Sequence, residues 1–188
     1  DETIHVPANV SLVGNDTTIK GDADLMYAVQ LEDVHNVSIS DVTFSGGYRF
    51  GIYIINCQNV LVWNNRITNA GTKALCVIGR NEYIHVVNNT ATENADGAFL
   101  FNGDISNCII QGNSVYQNMG AGNMRAGIVL SGMPIQNLYD TNNPEVDVYL
   151  YELTEAPHDN VIKDNIIQGN HSSGIYSFAG YRNYIIDN

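Results

Sequence analysis

Two residue types suited to proton transfer, a carboxylate and an imidazole, fall at equivalent turn positions in neighbouring repeats of this 188-residue chain, as Asp104 and His158. A histidine beside a carboxylate is a general acid or base that operates near neutral pH. Arg125 stands two residues before the strand sequence GIVLS, where a guanidinium can clamp a carboxylate or a hydroxyl group. Its bland alternative is an ion pair with Asp96, which occupies the same column one repeat earlier. Asn102, Ser131 and Tyr176 are expected on the outward side of one strand column as substrate contacts. Tyr151 belongs to an acidic, tyrosine-rich segment whose rings can stack on sugar faces. The candidate catalytic set is therefore Asp104, Arg125 and His158, and the candidate substrate-binding set is Asn102, Ser131, Tyr151 and Tyr176. Lys73 qualifies as a base only where its ammonium group is desolvated.

The elements that must position these residues follow from an internal repeat. Val29, Ile52, Leu75, Phe99, Ile128 and Ile175 are separated by 23, 23, 24, 29 and 47 residues. A second column, Ile39, Val62, Val86, Ile110, Ile162 and Ile185, has intervals of 23, 24, 24, 52 and 23. Asn65, Asn89, Asn113, Asn165 and Asn188 each follow that second column by three residues, as expected of a ladder of stacked amides. Local alternation gives three short strands per repeat, with no helical periodicity. The pattern predicts an all-β fold, a right-handed parallel β-helix of about seven coils with 23–24 residues per coil, forming one domain over residues 1–188.

Departures from the period mark loops. The 29-residue interval carries about five extra residues near Met119 to Met124, and the 47-residue interval about 23 extra within an insertion over 132–157. Both flank the strand 127–131, so a groove is expected beside it. The insertion reads as a sugar-binding arm or, more plainly, as a two-stranded hairpin that clamps the solenoid. Its Asp140, Asn142, Glu145 and Asp147 offer oxygen ligands to calcium without the spacing of a defined calcium loop, so no cofactor and no metal is expected.

Stacked apolar columns with an asparagine ladder, and repeats such as GIYIINCQNVLVWNNRITNAG, resemble the pectate-lyase-like superfamily of right-handed parallel β-helices and the repeats of NosD-like and carbohydrate-active proteins. The resemblance covers essentially the whole chain and implies a scaffold rather than a substrate. The NTD, DD and GHG set of polygalacturonases, the DPHE motif of alginate epimerases, the RxPxxR of pectate lyases and the calcium nonapeptide GGxGxD do not occur. P-loop, dinucleotide-binding and GxSxG signatures are also absent.

Composition narrows the partners. With 20 acidic residues against 8 basic ones, the net charge of -12 repels phosphate backbones and anionic lipid surfaces, so neither nucleic acid nor membrane is expected. Cys57, Cys76 and Cys108 lack metal or disulfide spacing and read as packing residues. Five N-x-S/T triplets begin at Asn9, Asn15, Asn36, Asn88 and Asn170.

Three functions fit. One is an extracellular or cell-surface lyase or glycoside hydrolase acting on a polysaccharide in the groove beside 127–131. The second is a non-catalytic carbohydrate-binding or adhesive module, and the third a structural solenoid of a spike, filament or surface layer. Outward apolar residues on two faces (Tyr53, Ile55, Ile78, Leu100, Val129, Tyr176 and Phe178; Leu61, Trp63, Val87, Ile109 and Ile186) add the expectation of a homo-oligomer, such as a trimer, or of further coils in a longer protein.

Overall fold

The computed structural model describes residues 2–21, 25–120, 122–132 and 156–188. Parallel strands stack into a right-handed solenoid of about six turns. The first face is a seven-stranded sheet of Ile4–His5, Leu25–Glu32, Tyr48–Ile55, Leu75–Ile78, Phe99–Asn102, Ile128–Ser131 and Ile175–Phe178. The second and third faces are built from twelve strands joined in one sheet. Among the described residues no helix is long and apolar enough to cross a membrane.

Register follows the apolar columns residue by residue. Val29 pairs with Ile52, Ile52 with Leu75, Leu75 with Phe99, Phe99 with Ile128 and Ile128 with Ile175. The second column pairs in the same way from Ile39 through Val62, Val86, Ile110 and Ile162 to Ile185. Because strand side chains alternate between faces, a slip of one residue would turn every one of these into solvent. The inward members form one core that runs the length of the stack, with Phe99, Ile110 and Ile128 fully buried.

The turns are specified by asparagine in two ways. Asn64 and Asn88 adopt φ of 54°, a left-handed conformation that asparagine tolerates better than most residues. The residues that follow them, Asn65 and Asn89, turn inward as ladder rungs and are 2 and 1% exposed. Two further amide columns accompany the expected one. Asn94, Asn118 and Asn170 bond one another at a second corner, and Asn160 bonds Asn183 at the third.

One expectation is corrected here. Tyr53, Cys76, Leu100, Val129 and Tyr176 do stack on the outward side of the first face. They are not an open floor: Cys76, Leu100 and Val129 are fully buried and belong to a second apolar cluster with Phe50, Ile78 and Ala126. Ile55 is buried as well, while Phe178 at the end of the same face is 45% exposed. On the second face Leu61, Trp63 and Ile186 remain exposed.

Candidate functional site

The turn that leads from the first face to the second carries Arg80, Asp104, His158 and Tyr181 on successive coils. Parallel bridges from Ser106 to His158 and from His158 to Tyr181 fix this order. Glycines admit the chain to the corner: Gly103 has φ of 124°, and a Cβ there would meet the Gly79 carbonyl oxygen at 2.5 Å.

His158 is held on three sides. Its Nδ1 lies 2.9 Å from Asp159 Oδ2, its Nε2 faces Asp104 Oδ1 at 3.8 Å, and its ring stacks on Tyr181 with centroids 5.0 Å apart. Arg182 donates to both oxygens of Asp159 at 2.7 and 2.5 Å. Arg80 Nε donates to Asp104 Oδ2 at 2.9 Å. The Arg182 hydrogen bonds, followed by that of His158, hold the Asp159 carboxyl well below the usual carboxylate range. Asp159 is thus a permanent acceptor. An ionised carboxylate accepts and cannot donate, so the Nδ1 atom of His158 carries the proton of that contact. Nε2, on the other side of the ring, faces a second carboxylate, that of Asp104. At 3.8 Å the Nε2–Oδ1 contact is longer than a hydrogen bond. The imidazole thus has one carboxylate at Nδ1 and a second facing Nε2.

The other sequence-predicted residues are distributed more widely than expected. Arg125 lies in the corner that precedes the first face, at the end of a short 3₁₀ turn over Asn123–Arg125. Its Nε bonds Asp96 Oδ1 at 2.5 Å, so the ion pair on neighbouring coils is what the structure contains. Asp96 and Asp104 stand at opposite ends of the strand Phe99–Asn102, which alone separates them by about 10 Å at about 3.3 Å per residue. Arg125 is therefore not brought beside His158. Asn102 and Ser131 are register partners on the outward side, as expected, and both are fully buried. Tyr176 is half-buried against Val129. Tyr151, together with the carboxylates and tyrosines of the insertion, lies outside the described residues.

Sequence reasoning missed Asp159, Arg182, Tyr181 and Arg80. Their signal was available, since Arg182 follows Asp159 by 23 residues and Asp104 follows Arg80 by 24, the repeat period itself. Lys73 is buried as its base role would require. Its ammonium donates to the carbonyls of Asp96 and Met124, the latter at 2.8 Å, and is 3.9 Å from Asp96 Oδ2. Burial lowers its pKa and raises that of Asp96. With 2% of its side chain exposed, Lys73 is a strut between coils rather than a group that meets substrate. Among the described residues no group of three or more His, Cys, Asp or Glu side chains is placed to hold a metal ion.

Comparison with known proteins agrees with this architecture. A family model described as a right-handed β-helix region matches residues 27–188. The chain belongs to that family. Among curated protein sequences none matches this β-helix. Solved structures similar to it include a double mutant of the periplasmic alginate epimerase AlgG, at 16% identity over 95% of this chain and 46% of that one, with a TM-score of 0.40. The A-module of the mannuronan C-5 epimerase AlgE4 from Azotobacter vinelandii is 15% identical over 98% of this chain and 62% of that one, with a TM-score of 0.38. A proposed glycosyl hydrolase from Parabacteroides merdae is 10% identical over 96% of this chain and 77% of that one, with a TM-score of 0.36. The β-helix thus spans less than two thirds of the length of the two epimerases. Identities of 10 to 16% assign it no reaction.

Proposed function

We propose that this β-helix acts on a polysaccharide outside the cell or at its surface, as a lyase or glycoside hydrolase, with His158 as its general base. The observation that carries the reading is the fixed imidazole, with Nδ1 bound to Asp159 and Nε2 directed at Asp104. In a lyase reaction Nε2 removes the proton on the carbon next to the uronate carboxylate. The electron pair of that C–H bond forms the new double bond, and the glycosidic oxygen departs and is protonated. In a hydrolase the same atom removes a proton from the attacking water. Asp104 stabilises the imidazolium in either case, and Asp159 keeps the ring in place. Arg125 has no part in this step because it sits at the far end of the strand.

The test is turnover of uronic and neutral polysaccharides, read separately as unsaturated and as reducing ends. His158→Gln and His158→Ala are expected to lose about a hundredfold or more, the usual worth of a positioned acid–base group. Full activity in His158→Ala would remove the site assignment. Absence of turnover by the parent chain on every polymer would remove the enzyme reading.

A second reading is favoured by one observation, the burial of Cys76, Leu100 and Val129 on the outward side of the first face, where a catalytic groove was expected. It is a carbohydrate-binding module or structural solenoid without chemistry, associating through its exposed second face. Glycan-array binding without turnover is its expected signature.

A further inference from the structure

The corner between the second and third faces holds a trough of about 520 Å³, on the opposite side of the coil from Lys73 and separate from the His158 corner. Its polar lining includes Asn15, Asp16, Asp41, Asn64, Arg66 and Asn88. One wall is an irregularity in the first coils. Val13 pairs with Ser40 and Thr17 with Val42, so the strand Ser11–Ile19 spends four residues where its neighbour spends two. The extra backbone pushes Asn15 and Asp16 outward. Gly14 makes this possible, because a Cβ there would meet the Asp41 carbonyl oxygen at 2.2 Å. The floor is ordered by Asn64, whose Nδ2 donates to Asp41 Oδ1 at 2.6 Å.

Beside the residues that line this trough runs a column of three apolar side chains interrupted by the buried Ser40. Val13, Ser40, Trp63 and Val87 are register partners on four successive coils, each next to the corner. Val13 is 63% exposed and Trp63, the chain's single tryptophan, 40%. A large indole left in water beside amides, carboxylates and a guanidinium fits a ligand that is itself apolar on one face and hydroxylated at its edges. Sugar rings have that character. Successive coils are about 4.8 Å apart, comparable to the length of one pyranose unit, so a glycan lying along the axis meets a similar surface at each coil.

Charge selects among glycans. The trough itself offers two carboxylates against one guanidinium and so disfavours a polyuronate there. We infer that the Trp63 strip and the Asp41–Asn64 trough together form a binding site for an uncharged glycan chain, distinct from the His158 corner and independent of whether His158 performs catalysis.

The single tryptophan makes the test direct. Hexasaccharides of glucose, mannose and N-acetylglucosamine, with a uronate hexasaccharide for comparison, are titrated into the full chain while indole fluorescence is followed. A saturable shift with at least one uncharged hexasaccharide and a weaker response to the uronate is expected. Affinity electrophoresis in gels containing the matching polymer then compares variants. Trp63→Ala is expected to weaken retention by about tenfold or more, the effect of removing a tryptophan anchor, and Arg66→Ala by less. His158→Ala is expected to bind as the parent does, which separates this site from the catalytic reading. Both replaced side chains are exposed, and an unchanged melting curve shows that the fold is kept. No shift with any sugar, or tighter binding of the uronate, would overturn the inference. A fluorescence shift that depends on protein concentration alone would assign the strip to a second copy of the chain and overturn it equally.

Discussion

The side-chain oxygen of Asn89 accepts both the backbone N–H and the side-chain amide of Asn65, at 2.9 and 3.0 Å. Its own amide donates to the carbonyls of Val62 and Val87 and to Asn113 Oδ1. One buried residue thereby satisfies polar groups on three coils. Asn89→Ala leaves the buried N–H of Asn65 without this acceptor, which costs about 1–3 kcal/mol, and removes the other bonds at about 1 kcal/mol each. A loss of about 4 kcal/mol or more in denaturant unfolding is expected. Asn89→Asp restores the acceptor but not the donors, and places a charge in the wall, so it is expected to be no better.

Ile110 lies midway along the same corner's apolar column, fully buried and paired with Val86 and Ile162. Its neighbours in the core cluster are apolar. Ile110→Asp is therefore expected to prevent folding, because the carboxylate is neither hydrated nor paired. Circular dichroism and thermal melting check this. A soluble variant with a cooperative transition would contradict the core assignment.

The Asp96–Arg125 pair illustrates the weight of exposed ion pairs. The contact is short, but half of the Arg125 side chain is in solvent. Arg125→Ala is expected to lower stability by less than about 1 kcal/mol, with the difference shrinking further in high salt.

Burial also sets the thiol chemistry. Cys57, Cys76 and Cys108 are buried thiols. Desolvation raises the pKa of Cys57 and pushes that of Cys108 up to about 12. The thiolate is the reactive form, so none of the three is expected to react with a disulfide reagent at pH 8 in the folded protein. All three are expected to react after addition of denaturant.

The columns and register were legible in the sequence because each strand position is read twice, once by its apolar type and once by its 23- or 24-residue spacing. The same spacing holds Asp104 to Arg80 and Asp159 to Arg182, which is why two ionic rungs can be recovered from numbering alone. What escaped was lateral. Strand alternation predicts that Leu100 and Val129 point outward, and they do, but alternation cannot show that the outward side is covered. Nor does a shared strand bring its two ends together: Arg125 and His158 flank the same stretch of chain and belong to different corners. A repeat specifies distance along the solenoid axis better than distance around the coil.

Lys73 provides the pH-dependent prediction. Burial lowers the pKa of its ammonium, and the nearby Asp96 charge only partly restores it. In the unfolded chain the group keeps its ordinary value of 10.5. Between the lowered value and 10.5 the unfolded state binds more protons than the folded one, so this group makes stability rise with pH across that window. As pH falls through the lowered value, the folded protein must accommodate a charged ammonium in a site with 2% exposure, and that contribution is lost. Tyr48 acts in the opposite sense, since burial raises its pKa and favours the folded state below its titration. The measurable quantity is therefore the difference between the parent chain and Lys73→Met. Methionine gives up the hydrogen bonds to the carbonyls of Asp96 and Met124, worth about 1.5–3 kcal/mol each with a charged donor. It also avoids the several kcal/mol of burying an ammonium ion. At neutral pH the two terms nearly cancel, and a change within about 2 kcal/mol is expected. The deciding observation is the slope: the stability of Lys73→Met relative to the parent is expected to fall as pH rises from the lowered value toward 10.5. A constant difference over that range would show that the ammonium of Lys73 titrates alike in the folded and unfolded chain.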